Sequence, residues 1–344
     1  MLQVGGDRHR WDLRTVGWCT WGCLFAVTAA TFCFRFEPTL RPLLEMGWSP
    51  DEALKVPFWI ASQLAIKVLQ LMMRRFLYCT WPLKMPEQDY EFLVGDRSGW
   101  TPGKNEIHYY HETYGEQTIK AIDAFNRRWF HLVANSWRLY WYLGLASNLP
   151  EMFRLALMCE TLSFWLKVFL ERDEGLFGRL LLGVTARTRD GSLGRFNILM
   201  VSGWHYMGLL WCFMLPYLLG LTDEQGRVFF LLSMQGVMWG DTFGELVGGF
   251  CGRCEFPVWG FGDINIKTVE GVIGCLGANY VSMRMVSMAF PEQCAFIYPI
   301  DLAVAIAALV GTIAETVAPR GTDNAVILNT VMLTLSGMVL PMGE

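Results

Sequence analysis

Five long apolar segments fill the second half of the chain and constrain its fold more than any other feature. Each is long enough, or nearly so, to cross a bilayer as a helix, which requires about 20 apolar residues. Their apolar runs are continuous, whereas the strands of a membrane barrel alternate between apolar and polar residues. Because only helices and closed barrels satisfy the backbone in lipid, we expect an all-α, polytopic membrane helical bundle with roughly 7–9 transmembrane helices. The five segments cover residues 197–221, 227–250, 268–290, 296–318 and 325–341.

The composition is typical of a membrane protein. Hydrophobic residues make up 53% of the 344 residues and charged residues 17%, whereas soluble domains carry about 25% charged residues. The formal net charge is −4. Because no basic stripe is visible in the sequence, we expect no nucleic-acid partner.

The first half of the chain is less regular. An apolar run at 16–34 indicates a first span or a signal anchor rather than a cleaved signal peptide. Ser49 and Pro50 predict the start of a helix. Its continuation at 56–81 contains basic residues, so it either spans the membrane or lies along the interface. Residues 84–127 are polar and predict a loop or a small extramembrane insert.

Apolar helical segments return at about 129–147 and 151–171. The polar, glycine-containing connection at 171–195 marks the main boundary of the chain. It separates an N-terminal membrane region of unknown role, residues 1–195, from a second membrane region, residues 196–344, that carries the candidate chemistry.

Cysteine and histidine give weaker signals. The ten cysteines are scattered, so we infer no disulfide framework. Cys251 and Cys254 form a CxxC pair that could be redox-active or half of a zinc site, but no second pair with zinc spacing accompanies it. His108 and His111, each beside a glutamate, could bind a metal, and a solvated loop is the simpler interpretation. His205 lies within a predicted span, where a structural hydrogen bond is the simpler role.

Asp241 and Glu245 stand four residues apart near the end of a predicted span, and therefore on one helix face. Ionisable groups inside spans are costly unless they have a partner or a function. Two carboxylates on one face suit Mg²⁺, which takes one or two carboxylates together with substrate phosphates. Alternatively, both acids hydrogen-bond across a helix interface. Gly244 and Gly248, also four residues apart, allow such close helix contact.

The following stretch, GGFCGRCEFPVWGFGD, is rich in glycine, which lets backbone N–H groups approach a phosphate closely. Gly252 lies in this loop and Arg253 is its one basic residue; a plain turn is the alternative. Lys267 and Thr268 then stand where a helix is predicted to begin, and a helix N-terminus is an anion site. An ion pair between Lys267 and Glu270 is the alternative at that position.

A third polar stretch, ETVAPRGTDNAVIL, lies between two apolar runs. It contains Glu315, Arg320, Asp323 and Asn324. Capping of the next helix accounts for Asp323 or Asn324. It accounts less well for Glu315 and Arg320, so a phosphate or metal site is the competing interpretation.

Taken in order, the segments GDTFGELVGGFCGR, KTVEG and ETVAPRGTDN resemble the signature series of the polyprenol kinases. That family includes dolichol kinase, phytol kinase and the CTP-dependent diacylglycerol kinase. The resemblance covers about residues 197–344 and includes the order, the spacing and the placement of the segments at span ends. It implies that the functional positions of the family correspond to Asp241, then Lys267, Glu270 and Gly271, and then Glu315, Asp323 and Asn324.

The resemblance implies a membrane-embedded, all-helical enzyme that transfers a phosphoryl group to a long-chain isoprenoid alcohol such as dolichol or phytol. CTP is the expected donor, with ATP or UTP as alternatives, and Mg²⁺ or another divalent metal is the expected cofactor. The endoplasmic reticulum is the expected location and a plastid membrane the alternative. The sequence departs from the family at Glu245, where a small or apolar residue is usual, and in the aromatic insert FPVWGFG.

The roles expected from the residues and from the resemblance together fall into three groups. The residues expected in catalysis are Asp241, Lys267, Glu315 and Asp323, with Glu315 or Asp323 as the base for the lipid hydroxyl. The metal ligands would be Asp241, Glu245 and Asp323. The nucleotide would contact Arg253, Gly252, Thr268, Glu270, Gly271 and Asn324.

Two other functions fit the same residues. A phosphatidate cytidylyltransferase also uses CTP, and its product would be pyrophosphate instead of CDP. A transporter or a non-catalytic membrane scaffold would use the intramembrane acids to line a path or to pair helices.

Overall fold

The structure is a computed structural model. Most of the predicted first span at 16–34, both histidines of the 106–112 stretch, and Arg320 lie outside the residues that it describes. The described residues are 19, 22, 26, 50–94, 112–173, 175–178, 181–182, 193–259, 264–318 and 321–340.

The N-terminal half is mostly helical in its longer described segments. Its helices are α1 (Pro50–Arg75), α2 (Glu87–Val94), α3 (Glu116–Leu139) and α4 (Leu149–Glu171). Helix α1 begins at Pro50, as the sequence predicts. Widened π turns extend two of the helices, at Phe76–Thr80 after α1 and at Tyr140–Gly144 after α3. A single helical turn at Leu176–Gly178 follows α4.

The stretch at 84–127, predicted as a loop or insert, is helical over α2 and over the first half of α3. The physical reason is amphipathicity: apolar Ile119 and Ile122 are buried at helical spacing, although the segment as a whole is polar. Helix α4 begins at a local signal, because the Asn148 side chain caps it by accepting a hydrogen bond from the Glu151 N–H at 2.8 Å.

The second half is also mostly helical, and the five predicted apolar segments are helical over most of their length. The elements are α5 (Leu193–Leu218), α6 (Asp223–Gln235), α7 (Asp241–Cys251), β1 (Glu255–Trp259), β2 (Ile264–Thr268), α8 (Val269–Ala289), α9 (Ile300–Val317) and α10 (Asp323–Ser336). A π turn at Gly236–Gly240 joins α6 to α7, so the helical backbone is continuous from one into the other.

A β-hairpin replaces part of the predicted glycine-rich loop. Strands β1 and β2 pair antiparallel, with Glu255 opposite Thr268 and Val258 opposite Asn265. Strand β2 runs directly into α8. Lys267 is therefore the second-to-last residue of a strand and does not lie on a helix face. The hairpin thereby fixes where Lys267 stands relative to the start of α8.

The helices of the second half pack in sequence, α7 on α8, α8 on α9, α9 on α10, and α10 on α5. Helix α3 lies against α7, and α4 lies against α5. One large apolar core joins α4, α5, α8, α9 and α10 and includes the fully buried Phe213, Phe229 and Phe230. The N-terminal and C-terminal halves therefore share one core.

Three of the described helical segments are long and apolar enough to cross a membrane. They are Leu54–Thr80, Ile198–Leu218 and Ile300–Val317. Large apolar side chains on the outer faces of α1, α8 and α9 are exposed, among them Met72 and Ile273. A lipid environment would cover such surfaces, which are rare on soluble monomers.

Candidate functional site

Charged side chains from five elements meet in one place, which we call the charged cluster. Ion pairs or electrostatic interactions connect each member to others. The members are Arg127 and Arg128 of α3, Asp241 and Glu245 of α7, Lys267 of β2, Glu315 of α9 and Asp323 of α10.

Asp241 is the first residue of α7, directly after the π turn. It is only 2% exposed, and its carboxylate forms an ion pair with the guanidinium of Arg128. A buried carboxylate is costly without a partner. Arg128 therefore offsets the cost of placing Asp241 inside the protein.

Glu245 lies one turn further along α7 and contacts two arginines. Arg127 donates from Nη1 to Oε1 at 2.8 Å and from Nη2 to Oε2 at 3.2 Å, and Arg128 also donates to Oε2. This arrangement is the pairing across a helix interface that the sequence leaves as an alternative. Metal binding by Glu245 would compete with these bonds.

Lys267 forms an ion pair with Glu315 of α9, not with Glu270. Burial alone would lower the pKa of Lys267, but the charges of Glu315, Asp323 and Asp241, together with the hydrogen bond to Glu315, raise that pKa above its ordinary value. The lysine therefore keeps its positive charge at neutral pH, as a phosphate ligand requires.

Asp323 begins α10 and faces the same cluster. It interacts electrostatically with Asp241, Lys267 and Arg128, and its Oδ1 accepts a hydrogen bond from the Asn324 N–H at 3.0 Å. Asn324 is buried, and its Oδ1 has no hydrogen-bond partner among the described residues. An oxygen of this kind is a free acceptor beside the cluster.

A close helix crossing places α7 against the beginning of α8. A Cβ added to Gly271 would lie 2.7 Å from the Gly244 carbonyl oxygen and 3.3 Å from the Gly248 Cα. Thr268 caps α8 by accepting a hydrogen bond from the Gly271 N–H at 3.1 Å. The structure thus gives Thr268 and Gly271, predicted as nucleotide contacts, positions that build the helix crossing.

The remaining residues that were predicted to contact the nucleotide are exposed or half-buried. Arg253 is exposed, and a Cβ on Gly252 would clash with the Gly248 carbonyl oxygen. The carboxylate of Glu270 accepts a hydrogen bond from the Cys254 N–H at 3.3 Å. Glu270 therefore uses a backbone N–H group of the loop that the sequence predicts to bind phosphate.

Sequence reasoning did not find the basic residues of α3. Arg127 and Arg128 belong to the region predicted as an insert and to its edge, yet they hold Asp241 and Glu245. Nearby, His131 Nδ1 lies 3.2 Å from Thr242 Oγ1. The available signal was the adjacent arginine pair immediately before an apolar run.

The carboxylates of the charged cluster are the groups of the site that could hold a metal ion. The described residues contain no group of three His, Cys, Asp or Glu side chains placed to hold one ion. Asp241 and Asp323 are close enough to interact electrostatically, and Mg²⁺ usually takes one or two carboxylates together with substrate phosphates. The cluster holds four carboxylates and three cations, which gives it a formal charge of −1.

Replacing Arg128 with Leu should lower the stability of the purified protein by about 3–5 kcal/mol, because Asp241 and Glu245 would lose a buried partner. Thermal unfolding in detergent measures the effect. Arg75→Leu is the control, because Arg75 pairs with Glu87 at an exposed position, where a pair contributes about 0–1 kcal/mol. Equal loss of stability in both variants would contradict the structural role of Arg128.

Comparisons with known proteins returned no match for this chain, whether against family models, curated proteins or solved structures.

Proposed function

We propose that the chain is a lipid-alcohol kinase of the polyprenol-kinase type, with a bundle of roughly 7–9 spans. It would transfer a phosphoryl group from a nucleoside triphosphate, CTP first, to a long-chain isoprenoid alcohol. One observation supports this most: Asp241, Lys267, Glu315 and Asp323, which come from three separate sequence segments, lie in one cluster. The helix crossing and the hairpin hold these segments together.

Phosphoryl transfer depends on positioning and charge neutralisation more than on covalent chemistry. Asp241 and Asp323 would hold Mg²⁺, which would neutralise charge on the triphosphate when bound. Lys267, positively charged at neutral pH, would contact the same phosphates. Arg128 would keep the Asp241 carboxylate oriented through their ion pair.

Glu315 is the candidate base. Its carboxylate accepts a hydrogen bond from Lys267, so a phosphate that engages Lys267 would release the carboxylate. Glu315 would then take the proton of the acceptor hydroxyl. The alcohol oxygen bonds to the terminal phosphorus as the bond from that phosphorus to the bridging oxygen breaks, and a nucleoside diphosphate leaves.

An apolar groove between α5 and α10 could hold the lipid chain. Its volume is about 520 Å³, and it starts at Ala325 and Val326, immediately after Asp323 and Asn324. A chain in this groove would have its hydroxyl end near the charged cluster. The groove is lined by Trp204, Met207, Trp211, Ala325, Val326, Asn329, Thr330, Leu333 and Thr334.

The test uses the full chain, purified in detergent, with phytol or a polyprenol, Mg²⁺, and CTP or ATP labelled at the terminal phosphate. We expect labelled lipid phosphate and a matching amount of nucleoside diphosphate. Release of pyrophosphate with a CDP-lipid from phosphatidate would favour the cytidylyltransferase. If no nucleotide raises the melting temperature and no product forms, a transporter or scaffold becomes the better explanation.

A further inference from the structure

A second group of ionisable side chains lies between α1, α3, α4 and α5, and we call it the basic cluster. It consists of Lys67, Arg138, Lys167 and His205, together with the carboxylate of Glu160. None of these residues belongs to the charged cluster. Two of these helices, α1 and α5, contain candidate membrane spans, where ionisable groups are costly and indicate a function by default.

The Glu160 carboxylate already has two partners, Arg138 and Tyr142. Arg138 Nε lies 2.9 Å from Glu160 Oε1, and the Tyr142 hydroxyl donates to the same oxygen at 2.8 Å. Lys167 Nζ donates instead to Ser202 Oγ at 2.9 Å and forms no ion pair with a carboxylate in the described ranges. Among the described residues, the cluster therefore places several basic side chains near one carboxylate that already has partners.

The cluster brings basic groups close together. Arg138 Nη1 lies 3.4 Å from His205 Nε2, and the charges of Arg138 and Glu160 both act on Lys167. Basic groups held near one another in a low-dielectric interior gain stability when an anion enters.

His205 adds a donor that lacks an acceptor. The residue is 4% exposed, and its Nε2 lies 3.4 Å from Arg138 Nη1. Because Arg138 can only donate, the Nε2 atom accepts and Nδ1 carries the hydrogen. That Nδ1 has no partner among the residues that the structure describes, so a buried N–H remains to be satisfied.

We propose that the basic cluster binds the phosphate of a phosphate monoester, with Lys167 and His205 as donors. A phosphate monoester carries up to two negative charges and three terminal acceptor oxygens, which suits a group of basic side chains that includes a buried donor without an acceptor. The position between helices favours an ester whose apolar chain lies among them. The proposal stands independently of the kinase activity proposed above.

The two clusters adjoin through a chain of polar side chains. His131 contacts Thr242 on one side, and its Nε2 lies 3.0 Å from Asn135 Nδ2 on the other. Asn135 Oδ1 in turn accepts a hydrogen bond from Arg138 at 3.0 Å. Polar groups thus continue from the residue after Asp241 to the basic cluster.

The experiment measures binding to the full chain in a non-ionic detergent, without nucleotide or Mg²⁺. Dodecyl phosphate, dodecanol and inorganic phosphate are compared by titration calorimetry and by melting temperature. We expect dodecyl phosphate to bind the protein and raise its melting temperature, and we expect dodecanol to do neither.

Lys167→Met should weaken the binding of dodecyl phosphate by at least about 10-fold, since a hydrogen bond to a charged group is lost. Lys120→Met, at an exposed lysine paired with Glu116, should leave binding unchanged.

Stability without ligand separates binding from misfolding. Lys167→Met removes a repelled cation, and Ser202 keeps its hydrogen bond to the Ile198 carbonyl, so the melting temperature should stay level or rise. Binding of inorganic phosphate as tightly as of the alkyl ester would assign the site to the free anion. Unchanged binding in Lys167→Met, or a loss confined to Lys267→Met, would overturn the proposal.

Discussion

Asp241→Asn should reduce lipid-phosphate formation by about 10²–10³-fold, a loss typical of removing one electrostatic contact to a developing charge. The substitution keeps the size of the side chain but removes the charge that Mg²⁺ and Arg128 both require. Glu245 still contacts Arg128, so the fold should persist. The measurement is the initial rate with labelled nucleotide and a saturating isoprenoid alcohol.

The matched control is Asp301→Asn. Asp301 is exposed on α9 and pairs with Arg284 at the surface, so its rate should equal that of the unmodified protein. Melting temperatures of both variants show whether folding is intact. A folded Asp241→Asn protein with full activity would remove Asp241 from the site and with it the main support for the kinase proposal.

Gly240→Ala should be among the most destabilising single changes in the chain. A Cβ at this position would lie 2.7 Å from Asn279 Nδ2 and closer still to the other amide atoms. Asn279 is fully buried and donates to Thr312 Oγ1 at 3.0 Å, so moving it breaks a bond between α8 and α9. We expect a loss of about 3 kcal/mol or more, at the upper end for overpacking, seen as a lower melting temperature or failure to purify.

Gly277→Ala provides the comparison on α8, because no atom lies within 4 Å of the added Cβ. It should be neutral, or more stable by up to about 1 kcal/mol from helix propensity. Asn279→Ala in the Gly240→Ala background should restore part of the stability by removing the clash. If Gly240→Ala melts at the same temperature as Gly277→Ala, the close packing around Asn279 is wrong.

Local signals in the sequence predicted local structure. Pro50 was identified as the start of a helix, Thr268 as the point where α8 begins, and Asp241 and Glu245 as neighbours on one face. Each rests on spacing or capping within a few residues. The partners of these groups depend on tertiary packing, which short-range patterns do not encode.

The ion pair of Lys267 illustrates that limit. Glu270 lies three residues away and would face Lys267 if both were helical, but Lys267 belongs to strand β2. The hairpin places Lys267 beside Glu315, and these two residues form the ion pair. Arg128 escaped prediction for a related reason, because its partner Asp241 is more than one hundred residues away in the chain.

The π turn at Gly236–Gly240 determines the direction in which the side chains of α7 face. A widened turn accommodates an extra residue compared with an α-helical turn, and each residue of an α-helix turns the next by about 100°. Without that extra residue, Asp241 and Glu245 would face another side of the helix and lose Arg127 and Arg128. The direction in which the carboxylates face is therefore decided upstream, in a short segment that carries no charge itself.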